Sequence, residues 1–218
     1  MRRSSLLFLL VGWCLALLAT RVGYTGHLTF VFLGWNLFLA LVPLAASAAM
    51  TRLDKRRASR WVLLAVGAVW LLFLPNAPYI LTDLFHFRAR PPVPTWFDLA
   101  LLLSFAGTGL LAGYLSLAEV HRVLAGRTGP RVAWAGAVGV LFLSAFGIYL
   151  GRYLRYNSWE ILTSPRRLLA DTLAPVLDPF GHPLAVAVTV VFGGLLTLGY
   201  LAMHVAAEST REASSRDA

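Results

Sequence analysis

The sequence predicts an all-α, polytopic bundle of about six transmembrane helices, with an amphipathic helix in the connection before the last span. Three observations carry this reading. Of 218 residues, 58% are apolar and 13% charged, with a mean hydropathy of +0.71, whereas soluble domains hold about 45–50% apolar and about 25% charged residues. The apolar residues fall in blocks long enough to cross a hydrocarbon layer of roughly 30 Å. The 19 Lys and Arg, against 10 Asp and Glu, punctuate these blocks instead of forming one stripe. That pattern suits membrane orientation and argues against nucleic acid as a partner. An ordinary soluble enzyme is excluded, and the lipid bilayer is the first partner.

The spans are expected at about 5–20, 28–50, 61–75, 97–117, 132–150 and 183–206. The first follows Met1-Arg2-Arg3 and is short, which raises a cleaved signal peptide. Its end, Leu17-Leu18-Ala19-Thr20-Arg21, lacks a clean small-x-small cleavage site, so a retained helix is expected. Its single cysteine, Cys14, reads as a small hydrophobe. Asn36 in the second block is expected to make an interhelical hydrogen bond. The third block, about 15 residues or roughly 22 Å of helix, is short for a crossing. Pro75 and Pro78 mark either a break inside the membrane, with Asn76 serving freed backbone groups, or the start of an amphipathic helix on the outer surface. Gly109–Gly113 and Gly147–Gly151 have the G-x-x-x-G spacing of close helix packing or, less simply, of a helix-mediated homo-oligomer.

Gly151–His182 is too long for a simple turn. Ser164-Pro165 reads as an N-cap and first helical position, beginning a helix to about Leu173. Leu168, Leu169 and Leu173 would lie against lipid or protein while Arg166, Arg167 and Asp171 stay wet. Residues 208–218 form a polar tail expected to be disordered. With the N-terminus inside, the alternate connections hold 12 basic residues inside and 7 outside, so both termini are expected in the cytoplasm. Arg52, Lys55, Arg56, Arg57 and Arg60 carry most of that asymmetry.

Polar residues are costly in a membrane, so their positions carry the functional information. The first cluster runs from Pro75 to Phe87. On an α-helical wheel, Tyr79, Thr82, Asp83 and His86 share an arc of roughly 100°. Asp83 and His86, three apart, are able to supply two ligands to a divalent metal, and Asp98 and Glu160 would complete an oxygen-rich set. Equally, they serve as hydrogen-bond or ion-pair partners between helices, or as an acid/base pair. The second cluster runs from Gly151 to Glu160. Continuation of the fifth helix would bring Tyr149, Arg152, Tyr153 and Tyr156 to one face, with Arg155 one turn beyond Arg152. The tyrosines and Trp159 fit an aromatic belt and the arginines fit snorkelling. The competing readings are an arginine fork for a phosphate or carboxylate, and internal pairing with Asp83 or Asp98.

The runs Phe73–His86 and Leu150–Glu160, together with Gly34-Trp35-Asn36-Leu37-Phe38-Leu39-Ala40, resemble a bacterial multi-pass membrane family catalogued as domain of unknown function 1361. The resemblance spans roughly Thr29–Tyr200; Glu160 departs from it, an Asp being expected there. It implies a bacterial inner-membrane protein and supplies no reaction. The resulting expectation is an outward-facing polar site that binds or acts on an anionic or lipid-linked ligand. Asp83 and His86 would act as acid/base groups or metal ligands; Asn76, Tyr79, Asp98, Arg152, Arg155, Asn157 and Glu160 would contact the ligand. The alternatives are a small transporter using a broken third helix, and a structural or assembly protein without a ligand.

Overall fold

Within a bilayer every backbone N–H and C=O must find its partner inside the chain, and this chain meets that demand by being 84% helical. The computed structural model describes residues 3–156 and 163–216, with side chains over 4–156 and 163–209. In chain order the helices are α1 (Arg3–Thr25), α2 (Phe32–Lys55), α3 (Arg60–Phe73), the single turn α4 (Asn76–Tyr79) running into a 3-10 helix (Ile80–His86), α5 (Thr95–Thr128), α6 (Pro130–Arg152), α7 (Pro165–Leu177) and α8 (Pro183–Arg216). Six stretches are long and apolar enough to cross a membrane: Ser4–Thr25, Phe32–Lys55, Arg60–His86, Thr95–Thr128, Pro130–Arg152 and Pro183–Ser209. The protein is therefore an all-α polytopic bundle.

Short connections make successive spans run antiparallel. Between α5 and α6 the corner is a single residue, Gly129, whose φ of +90° suits glycine, followed by Pro130 at the first helical position. One end of the bundle thus gathers the close of α1, the start of α2, the 3-10 helix, and the close of α6. The arginine-rich turn between α2 and α3 lies at the other end.

Helix α5 is the central element and packs on α1, α2, α4, the 3-10 helix and α6. Its buried face mixes bulky Leu101, Leu102, Phe105 and Leu117 with small Ala106, Gly109, Ala112, Gly113 and Ser116. Small residues at helical spacing let neighbouring backbones approach, which is how helices gain contact in lipid. Helix α1 is fastened to α5 by Trp13 Nε1 donating to Ser104 Oγ at 3.2 Å and by Cys14 lying 3.3 Å from Thr108 Oγ1.

The structure departs from the sequence reading at four places. The third span does not end at Pro75: α4 and the 3-10 helix continue it to His86, and Ala77, Pro78, Ile80, Thr82 and Asp83 are buried. The break therefore lies inside the bundle, not on its surface. Pro78 cannot donate to the Leu74 carbonyl, which accepts instead from Ala77 N–H at 3.0 Å, and Asn76 Nδ2 donates to the Phe73 carbonyl that Ala77 leaves open, at 2.9 Å. Ser164 precedes α7, yet its side chain makes no capping bond. The stretch expected to be a disordered tail instead continues α8 as helix to Arg216; extending a formed helix through Ala, Glu and Arg costs little. Finally, α6 stops at Arg152, so the expected helical continuation through Tyr156 is absent.

Candidate functional site

The elements that meet at the Arg152 end of the bundle border an open cavity of about 610 Å³ lined by Phe32, Asn36, Tyr79, Asp83, His86, Gly151, Arg152 and Arg155. Each side chain arrives for a local reason. Asp83 and His86 stand on a 3-10 helix, in which residues three apart eclipse one another. They therefore point the same way more strictly than the α-helical wheel requires. Asp83 is buried; its Oδ2 accepts from Asn36 Nδ2 at 2.8 Å. Its Oδ1 lies 3.9 Å from His86 Nδ1 and 3.9 Å from Arg152 NH1. Both distances exceed a direct hydrogen bond, and His86 Nδ1 is buried without a hydrogen-bond partner. The His86 ring rests 5.3 Å from the Phe32 ring.

Arg152 is the last residue of α6, and its guanidinium stands over the Phe85 ring at 5.4 Å. Beyond it the chain reverses: Tyr156 N–H donates to the Leu150 carbonyl at 3.0 Å, and Arg155 takes φ of +62°. A left-handed conformation at a non-glycine residue costs of order 1–3 kcal/mol and tends to occur where function imposes it. This turn, not a further helical turn, brings Arg155 to the same cavity as Arg152. Tyr149 and Tyr153 still stack along α6, with ring centroids 5.9 Å apart.

A second cavity of about 190 Å³ lies beside the first. Asn36, Tyr79 and Gly151 line both. Asn76 lines only the second, so of the expected ligand contacts it stands apart from the arginines. Asn157 and Glu160 lie outside the described residues. Asp98 is placed elsewhere altogether: it is buried between α1 and α5, accepting from Arg21 Nε at 2.7 Å and Arg21 NH2 at 3.4 Å. Thr25 Oγ1 accepts from Arg21 NH1 at 2.9 Å. Asp98 is thus spent on a structural fork and is not a ligand contact in this cavity.

Among the described residues no three His, Cys, Asp or Glu side chains converge as metal ligands. Asp83 and His86 offer two donors, and Arg152 beside them adds positive charge that opposes a cation. Sequence reasoning treated Asn36 as an interhelical hydrogen bond without assigning it to the site. Its partner, Asp83, is 47 positions away. Phe32, which lines the cavity, and Phe85, under Arg152, carry no sequence signal, because an isolated phenylalanine in an apolar block looks like any lipid-facing residue.

Residues 35–198, well over half of the chain, match the family described as "Protein of unknown function (DUF1361)". No curated protein and no solved structure matches the chain. The matched region opens at Trp35, beside the carboxylate-bonded Asn36, and includes the broken third span and the end of α6. The chain that builds this cavity belongs to the DUF1361 family, and it is an integral membrane protein.

Proposed function

We propose that the Arg152 cavity binds the anionic group, phosphate or carboxylate, of a ligand, with Asp83 and His86 positioned to move a proton at it. The observation that carries this reading is the contrast between two arginines near the same end of the bundle. Arg21 is tied by a 2.7 Å fork to Asp98 and by Thr25, as a structural arginine should be. Arg152 is 3.9 Å from its nearest carboxylate oxygen, and among the described residues neither it nor Arg155 makes a hydrogen bond. Arg152 beside one buried carboxylate, with the exposed Arg155 lining the same cavity, leaves it with excess positive charge and planar donors, the combination that recognises an oxyanion. A carboxylate and an imidazole on one face act as an acid/base couple when within hydrogen-bond reach of the reacting group.

The excess of basic residues at the other end supports a cavity facing away from the cytoplasm, and the family resemblance implies a bacterial inner membrane. Phosphate binding to the purified protein, read by calorimetry, tests the site. Arg152→Lys should weaken binding by about 10- to 100-fold, because an ammonium loses one charge-assisted bond of the fork, about 1.5–3 kcal/mol. Undiminished binding with Lys at both 152 and 155 would overturn the clamp. A second reading, transport, is favoured by the broken third span, since discontinuous helices build transporter sites. Ligand-dependent flux in proteoliposomes separates it from enzymology.

A further inference from the structure

The two cavities differ in charge and share a border. The larger carries Asp83, His86, Arg152 and Arg155. Among the described residues lining the smaller none is charged; Leu39, Leu72, Pro75, Leu150 and Leu168 form its apolar walls, with Asn36, Asn76, Tyr79 and Tyr156 also bordering it. Gly151 borders both, and a Cβ at that position would stand 3.0 Å from the Tyr79 ring, which also borders both. A glycine here keeps the junction between them narrow but clear of a side chain.

A small, fully charged ligand would use the larger cavity and gain nothing from the leucine and proline walls of the annex. An amphiphile uses both. The annex also sits where such a molecule arrives. Its Leu168 comes from α7, and the same helix turns Leu169, Leu173, Val176 and Leu177 outward as an exposed apolar stripe, while Arg167 is also exposed. A helix with that segregation lies in the plane of the membrane boundary, so α7 holds the annex at the level where lipid heads and chains meet.

Resting on the anion-binding reading above, we infer that the ligand is a membrane lipid with a phosphate head, the head held at Arg152 and Arg155 and the first part of its hydrocarbon chain lodged between α2, α6 and α7. Charge complementarity selects the head and the uncharged annex selects the chain. Phe32 lines the head site, and Phe85 lies under the Arg152 guanidinium.

A chain-length series tests this. Inorganic phosphate, butyl phosphate and octyl phosphate are titrated into the protein in nanodiscs of zwitterionic lipid, with empty nanodiscs correcting for partition. Each methylene fully buried is worth about fourfold in affinity, so octyl phosphate is expected to bind at least tenfold more tightly than inorganic phosphate, with butyl phosphate between. Leu168→Trp, on a helix outside the central core, should crowd the annex and bring the octyl-to-inorganic affinity ratio to within about twofold of one. Leu168→Asp should do the same by charge instead of volume, which guards against a folding defect in either variant. Equal affinity for all three phosphates in the unmodified protein would overturn the lipid assignment while leaving the anion site standing. A tenfold preference that survives both Leu168 variants would place the chain elsewhere and also overturn it. Failure of every phosphate to bind would remove the anion reading as well.

Discussion

Arg21 and Arg152 are chemically identical and lie toward the same end of the bundle, yet their surroundings assign them different work. Arg21 and Asp98 are 4% and 1% exposed and bonded at 2.7 Å. At that burial, removing one partner strands the other charge at a cost of about 3–5 kcal/mol. Arg21→Gln and Asp98→Asn, measured separately by denaturant unfolding in detergent, should each destabilise by about that amount. The double variant should recover most of the loss, because a neutral pair leaves no uncompensated charge. Simple additivity of the two losses would show that the fork does not act as a unit. Arg152 meets its nearest carboxylate oxygen only at 3.9 Å, and on the anion-binding proposal its replacement should act on ligand binding more than on stability.

The third span owes its shape to its neighbours as much as to its prolines. Both G-x-x-x-G stripes are used within the chain. A Cβ on Gly109 would stand 2.7 Å from Ile80 Cγ2, one on Gly113 would stand 2.8 Å from Ala77 Cβ, and one on Gly147 would stand 2.6 Å from the Pro75 ring. The surface that this spacing would present to a second copy is taken by the broken segment itself. Gly147→Ala should therefore destabilise the bundle by about 1–3 kcal/mol, since the proline ring cannot yield. Gly139→Ala on the same helix meets nothing within 4 Å and should be neutral or stabilising by about 0.5–1 kcal/mol. Thermal unfolding of the two variants side by side checks the contrast, and equal effects would mean that α6 does not clamp Pro75.

Taken whole, the molecule is polarised along the membrane normal. The 3-10 helix and the close of α6 bring the polar cavity to one end, and the turn holding Arg52, Lys55, Arg56 and Arg57 stands at the other. The positive-inside rule then predicts that a reporter fused after Arg57 reads as cytoplasmic and one near Pro92 as periplasmic. The reverse pattern would turn the cavity toward the cytoplasm and change the pool of ligands that reaches it.

The helical class, the number of spans and the concentration of polar residues near Asp83 and Arg152 are all local properties. Block length, hydropathy and the positions of Pro and Gly dictate them, because each helix in lipid must satisfy its own backbone. The irregular joints were not legible in the same way. Whether Pro75–Pro78 broke the span inside the bundle or began a surface helix depended on Gly109, Gly113 and Gly147 leaving room for it. The fate of Asp98 turned on Arg21, 77 positions away, and that of Asp83 on Asn36. The meeting of Arg155 with Arg152 required a left-handed turn that no helical periodicity encodes. Pairings across the chain follow from which faces pack together, and a single sequence reports the composition of those faces without their mates.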